Sequence, residues 1–232
     1  MHTDLFATKG LEYLLVVAYL ALLTAFWAFA MRTQKPKVAK APGRARSNTR
    51  GWFSPPEDFY FHQGHTWAVK EAPGILRIGM DDFSRRLLGS PSALHLPALG
   101  ARLEQGHTGW TVEVEGRSIN MLSPVNGEVL EVNTRVADAP GDALLMPYDD
   151  GWLMKIRTNP KRCCLRNLLS GELALAWLRD SEEKIRTQHA GELGVVLPDG
   201  GSPVDGLARA ISPDGWDDIA REILIPNPCR EA

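Results

Sequence analysis

The fold is decided by one stretch of the chain, SPVNGEVLEVN, which spans residues 123–133. Pro124 and the Asn126-Gly127 pair are typical of a turn, and residues 127–132 then have the composition of a short strand. Strand-like runs flanked by turn residues recur on both sides of this stretch. They lie at residues 66–70, 75–79, 95–96, 109–114 and 152–156. Many short strands with regular turns favour a compact barrel or sandwich over a parallel sheet.

Helical patterns frame these strands. Residues 81–88 begin with Asp81 as a plausible N-cap and end before Gly89, so they predict a short helix. Residues 168–189 have an apolar face at helical spacing and predict a longer one. Residues 194–201 suggest a short strand and turn, and residues 213–224 predict an amphipathic helix. The sequence leaves open whether this last unit packs on the domain or docks into a partner.

The N-terminal part predicts a membrane anchor. Residues 13–31 contain no charged side chain, and 19 residues of helix would rise about 28 Å, close to the hydrocarbon thickness of a bilayer. A cleaved signal peptide is the alternative, because Ala28-Phe29-Ala30 resembles a cleavage site. Asp4 and Glu12 before the apolar run, its length, and the position of the positive cluster after it all favour an uncleaved anchor.

A basic strip follows the apolar run. Its seven positive residues are interrupted by no acid: Arg32, Lys35, Lys37, Lys40, Arg44, Arg46 and Arg50. The positive-inside rule therefore predicts an outside N-terminus and a cytoplasmic C-terminal part, in a membrane of the bacterial inner-membrane type. A linker of this charge suits anionic lipid headgroups better than nucleic acid, and Trp52 and Phe53 are predicted to return to the membrane surface. From Gly51 onward, 18 Lys and Arg stand against 26 Asp and Glu, a net charge of −8.

The reactive side chains give weak signals. Cys163, Cys164 and Cys229 are the three cysteines, and neither their number nor their spacing suggests a disulfide framework. Basic neighbours make Cys163 and Cys164 candidate redox thiols. We predict no metal site from His62, His65 and His107, of which His62 and His107 lie beside glycines in predicted loops. The adjacent acid pairs are expected to be caps or solvated faces rather than catalytic dyads.

Further short blocks follow one another over residues 58–177. They are His65-Thr66-Trp67, Ile78-Gly79-Met80-Asp81-Asp82-Phe83, Leu88-Gly89, Leu96-Pro97-Ala98-Leu99-Gly100, the stretch 123–133, Pro147-Tyr148, residues 151–156 and Leu168-Leu169-Ser170. In this order and spacing the blocks resemble the glycine cleavage system H protein family. The resemblance implies a mainly β (α+β) fold, a barrel-sandwich hybrid of the lipoyl/biotinyl-carrier type with a C-terminal helix. It also implies a carrier that catalyses nothing itself.

In that family a hairpin presents one lysine, which takes lipoate in amide linkage seven residues before the serine of the Ser-Pro-Val block. Here the resemblance places Gly116 at that position. Glu113 matches a family acid, and Asn120 stands where the family has another. Arg117 cannot replace the lysine, because a guanidinium stays protonated and is a poor nucleophile. No lysine occurs between Lys70 and Lys155.

The sequence thus predicts four parts: an anchor at residues 1–31, a basic membrane-surface linker at 32–57, an H-protein-like domain at 58–190 and a C-terminal extension at 191–232. The predicted function is a non-enzymatic scaffold or stabilising subunit of a larger membrane complex, respiratory or photosynthetic. It needs no cofactor or small-molecule substrate, and its expected partners are membrane lipid and integral-membrane subunits. The alternatives are a lipoyl or acyl carrier modified at an unusual site and a thiol-based redox sensor.

Overall fold

The structure is a computed structural model that describes residues 13–26, 53, 55–159, 164–188 and 204–225. Its contacts divide the chain into two units, residues 1–45 and 46–232, which are described separately.

In the first unit, residues 13–26 are helical and exposed along their whole length. Within the described residues no helix combines the length and apolarity that a membrane crossing requires. Residues 27–31 of the predicted span lie outside the described residues, as does nearly all of the basic linker. The anchor and its orientation therefore stay predictions.

The described residues of the second unit form nine strands. They are β1 (Tyr60–His62), β2 (Thr66–Ala72), β3 (Ile75–Met80), β4 (Ala93–His95), β5 (Arg102–Leu103), β6 (Thr108–Val114), β7 (Arg117–Leu122), β8 (Gly127–Val132) and β9 (Met154–Arg157). A six-stranded sheet has the order β1-β2-β3-β9-β8-β5, and a three-stranded sheet has the order β4-β6-β7. All the strand pairs are antiparallel.

Strand β9 alternates buried and more exposed side chains, as expected where one face of a sheet is buried. Residues 66–68 of β2 and 78–80 of β3 are instead buried in succession, so both faces of the sheet are covered there. Ile78, Met154 and Ile156 of the larger sheet share one core with Val112 and Ile119 of the smaller sheet, and all five are fully buried. The result is a mainly β sandwich with helices, which confirms the predicted sheet architecture.

The part of this unit that the structure describes also contains six helices. They are α1 (Asp82–Leu88), α2 (Thr134–Asp138), α3 (Pro140–Ala143), α4 (Glu172–Gln188), α5 (Leu207–Ile211) and α6 (Trp216–Leu224). The predicted N-cap is confirmed, because Asp81 accepts a hydrogen bond from the Ser84 backbone N–H. Helix α4 begins later than predicted, since a 3₁₀ turn at Cys164–Asn167 and Gly171 with φ +57° precede it.

One local prediction is wrong. Phe53 does not face a membrane surface: it is 5% exposed and packs edge-on against Phe83, with ring centroids 5.4 Å apart. Its backbone N–H donates to Glu182 Oε1 at 3.3 Å. An aromatic ring gains more from this buried apolar contact than from an interface with water. The strand suggested at residues 194–201 lies outside the described residues.

Candidate functional site

The hairpin of β6 and β7 is the place where the family resemblance puts its chemistry. Glu115 and Gly116 form its two-residue turn, and Val114 pairs with Arg117. Both turn residues have positive φ, +49° and +77°, as a tight hairpin turn of the primed type requires. A Cβ placed on Gly116 would meet no atom within 4 Å. The tip of the turn is therefore open to solvent, but the residue there has no side chain.

Polar pairs stiffen the outward face of this hairpin. His95 Nε2 lies 3.2 Å from Glu113 Oε2, and Thr111 Oγ1 donates to Asn120 Oδ1 at 3.0 Å. The two positions that match the family's acids, Glu113 and Asn120, thus hold neighbouring strands together. Exposed cross-strand pairs of this kind add modest stability and fix side-chain orientation.

The two residues that flank Gly116 are tied to a distant part of the chain. Glu115 forms an ion pair with Arg209, and Arg117 forms one with Asp217. Arg117 also donates to the Asp214 carbonyl oxygen at 2.8 Å and lies 5.9 Å from the Trp216 ring centroid. These contacts join the hairpin turn to residues 204–225, which we call the C-terminal segment.

Asp217 is the hub of these contacts. Arg221 binds its second carboxylate oxygen at 2.7 Å and reaches the Ser118 carbonyl oxygen at 3.4 Å. Desolvation acts to raise the pKa of Asp217, but hydrogen bonds from Arg221 and Arg117 outweigh it and lower that pKa. The carboxylate is therefore ionised at neutral pH and stays available to both arginines.

The two lysines that border the hairpin in sequence both lie beside other side chains. Lys155 Nζ lies 2.9 Å from Glu131 and 3.1 Å from Glu71. Hydrogen bonds to Glu131 and then to Glu71 raise its pKa, so the amine stays protonated and non-nucleophilic. Lys70 Nζ lies 5.6 Å from the centroid of the Tyr60 ring.

A second polar cluster lies inside the domain. His65 Nδ1 is 2.8 Å from Asp81 Oδ2, and both residues are at most 1% exposed. The His65 ring stacks between Phe83 and Trp177, with centroid distances of 4.0 and 4.5 Å. A pair closed in this way cannot reach a substrate, so its role is structural.

Two partly buried groups lie near this cluster. The Tyr148 hydroxyl accepts a hydrogen bond from the Asp82 backbone N–H at 3.2 Å, and desolvation raises the pKa of Tyr148 well above its usual value. Burial, followed by the nearby His65, lowers the pKa of His62. Both side chains are therefore neutral at pH 7.

The remaining predicted candidates do not converge. His107 lies in a loop beside Glu104, with 3.8 Å between His107 Nδ1 and Glu104 Oε2. Within the part of the chain that the structure describes, no three His, Cys, Asp or Glu side chains form a metal-binding group. Cys163 lies outside the described residues, and the structure describes only the backbone of Cys164. The redox-thiol hypothesis stays untested.

Sequence reasoning missed the partners of the hairpin. Asp217 was expected on a solvated face, but its side chain is 15% exposed and binds Arg117. The amphipathic pattern of residues 213–224 does predict α6, and the structure places this helix on the domain. Asp217 and Arg221 are four residues apart on one face of α6, whereas Arg209 lies on the separate helix α5, so sequence spacing favours a shared contact only for the first two.

Comparison with known proteins agrees with this architecture. The glycine cleavage H-protein family matches residues 59–181. The glycine cleavage system H protein of Hydrogenovibrio crunogenus is 34% identical over 101 residues, which are 44% of this chain and 78% of the relative. That of Rhodospirillum rubrum is 35% identical over 98 residues, 42% of this chain and 78% of the relative.

Among solved structures, a glycine cleavage system H protein from Mycobacterium marinum has a TM-score of 0.47 and 24% identity. The match covers 55% of this chain and 99% of that one. The family match spans more than half of the chain and contains the hairpin, the buried His65–Asp81 pair and most of α4. The chain belongs to the glycine cleavage H-protein family.

Proposed function

We propose that this protein is a non-catalytic H-protein-like subunit that carries no lipoate on its β6–β7 hairpin. It would act as a membrane-anchored scaffold or stabilising component of a larger membrane complex, respiratory or photosynthetic. One observation carries the proposal: the hairpin turn keeps its geometry, yet Gly116 offers no amine and its neighbours are bound to the C-terminal segment.

Chemistry at the turn requires a nucleophile. Amide formation with an activated carboxyl group needs a neutral amine, and the side chains at the turn are a carboxylate, a hydrogen atom and a guanidinium. Glu115 and Arg117 are engaged in ion pairs, so they present fixed charges rather than a mobile arm. The hairpin is suited to holding a shape.

The scaffold role is supported by the properties that do not depend on an attachment residue, namely the acidic charge of the domain and its predicted position at the membrane. The part of the chain from Gly51 onward is acidic, with a net charge of −8. Acidic surfaces dock on basic ones and speed their encounter through long-range attraction. The predicted anchor and basic linker would hold such a domain at the membrane, where integral subunits are its natural partners.

The intact mass of the protein purified from its native host tests the absence of lipoate. We expect the mass of the unmodified chain, because no reactive amine lies on the hairpin. The matched control is the H protein of Rhodospirillum rubrum, tagged and expressed in the same cells, to show that the host's lipoylation is active. A lipoyl-sized increase in the mass of this chain would overturn the proposal in favour of a carrier with an unusual attachment site.

Purification of the tagged protein in mild detergent tests the scaffold role. We expect it to fractionate with membranes and to co-purify with integral-membrane subunits in a fixed ratio. A variant in which all seven basic residues of the strip 32–50 are replaced by glutamine is the control for the membrane contribution, and we expect it to reduce recovery from membranes rich in anionic lipid. Recovery of the native protein as a lone monomer would contradict the scaffold role.

A further inference from the structure

The C-terminal segment is packed into the same core as the strands. Its buried apolar side chains are all at most 5% exposed: Leu207, Ala208, Ile211, Trp216, Ala220 and Leu224. A bidentate ion pair between Arg85 and Asp205, at 3.0 and 2.8 Å, fixes its start against α1. The Gly206 backbone N–H also donates to the Arg86 carbonyl oxygen at 2.9 Å.

This segment covers an edge that the sheet would otherwise expose. Strand β7 is one of the two outer strands of the three-stranded sheet. Helix α6 lies along β7, where Arg221 reaches the Ser118 carbonyl oxygen at 3.4 Å. An uncovered edge strand presents free backbone groups to any other chain, and a packed helix removes that opportunity.

Two kinds of contact hold the segment, and they differ in strength. The ion pairs Glu115–Arg209 and Arg117–Asp217 are partly exposed to solvent, so they contribute little to the free energy of docking. The buried apolar side chains, with Trp216 the largest, contribute most of it. Burial therefore keeps the segment docked, and the ion pairs set its register on the turn.

We propose that the C-terminal segment is an intramolecular cap. It covers the side of the β6–β7 hairpin that another macromolecule would have to contact in order to bind the turn. The cap blocks the binding of other enzymes to the hairpin, whereas small molecules can still reach the exposed turn at Gly116. This inference deepens the proposed function, on which it rests for the importance of the hairpin. It adds that even a lysine at the turn would be a poor enzyme substrate in the intact chain.

The test introduces an amine and then loosens the cap, always in the full-length chain. Three proteins are compared: Gly116→Lys alone, Gly116→Lys with Trp216→Ala, and Gly116→Lys with Leu173→Ala. Leu173 is 69% exposed and lies on α4, so its truncation is the matched control for the loss of an apolar side chain. Circular dichroism establishes that each protein is folded.

Each protein is treated with a purified lipoate–protein ligase, lipoate and ATP. ATP activates the lipoate carboxyl group as an acyl adenylate with release of pyrophosphate. The introduced amine then attacks the acyl carbon, loses a proton and releases AMP. A parallel sample receives the N-hydroxysuccinimide ester of acetate, a small acylating agent. Mass spectrometry of the peptide that contains the turn measures both rates.

We expect Trp216→Ala to raise the ligase rate at least about tenfold. A tenfold increase in the fraction of molecules whose cap is undocked corresponds to a loss of roughly 1.4 kcal/mol of docking free energy. A buried Trp→Ala change removes more than this. The Leu173→Ala control should leave the ligase rate unchanged, and the small ester should react equally in all three proteins because the tip is open.

If Trp216→Ala unfolds the domain, Gly116→Lys with Asp217→Arg replaces it. That change sets a positive charge against Arg117 and Arg221 without creating a cavity. Repulsion among the three cations adds to the loss of the ion pairs, so we expect a ligase rate above that of Gly116→Lys alone but below that of the Trp216→Ala protein. Equal ligase rates with intact and loosened caps, or no modification of any variant, would overturn the cap. Lipoyl mass on the native protein would instead overturn the proposed function, so the two failures are distinguishable.

Discussion

Replacement of Gly127 by alanine is expected to destabilise the domain by about 3 kcal/mol or more, at the upper end of the cost of overpacking a well-packed site. An added Cβ would lie 2.4 Å from the Arg157 carbonyl oxygen and 2.4 Å from Ile156 Cγ2. Both atoms belong to β9, which pairs with β8 at Glu128↔Arg157 and Val129↔Ile156. A strand carbonyl group cannot rotate away without giving up this pairing, so the clash separates two central strands of the larger sheet.

Urea unfolding followed by tryptophan fluorescence measures this loss, and Gly116→Ala is its matched control. Gly116 has φ +77° but no atom within 4 Å of an added Cβ. Its substitution should cost only the strain of a left-handed residue, about 1–2 kcal/mol. If Gly127→Ala were no more destabilising than Gly116→Ala, the close approach of β9 to the start of β8 would be contradicted.

The same glycine shows why much of the fold could be predicted from the sequence. Asn126-Gly127 ends a turn and begins a strand, and the structure begins β8 at Gly127. The N-cap at Asp81 and the end of α1 before Gly89 were equally local signals, since the cap hydrogen bond spans three residues. Features fixed by neighbours in sequence can be predicted from sequence.

Other elements carried no comparable local signal. Strand β5 has two residues, and α2 and α3 have five and four. Elements of this length are too short to show a period of apolar residues, and their stability comes from the structure they pack against. Helix α2, for example, contributes the fully buried Val136 to the main core.

The candidate site also combines features that could be predicted from the sequence with features that could not. The position of Gly116 followed from the family resemblance by counting back seven residues from Ser123, and the structure places Gly116 in the two-residue turn of the β6–β7 hairpin. Its partners could not be found in this way, because Glu115–Arg209 and Arg117–Asp217 join residues 94 and 100 positions apart. Only the packing of α5 and α6 on the domain brings these charges together.

Replacement of Asp81 by alanine is expected to cost roughly 2–5 kcal/mol of unfolding free energy, because one buried carboxylate serves two elements. Its Oδ1 accepts the Ser84 backbone N–H at 2.7 Å and thereby caps α1. Its Oδ2 lies 2.8 Å from His65 Nδ1. Alanine would remove the cap and leave the ring nitrogen of His65 without this partner, between two aromatic rings that exclude water.

The adjacent Asp82 provides the control for this prediction. It also lies at the start of α1, but its side chain is 30% exposed and only 3.9 Å from Arg86 Nε, a weak i,i+4 pair. Its backbone N–H, which binds Tyr148, survives mutation of the side chain. Asp82→Ala should therefore change stability by less than about 1 kcal/mol in the same urea experiment. Equal losses for the two variants would show that helix-terminal charge matters at this site and the buried His65–Asp81 contact does not.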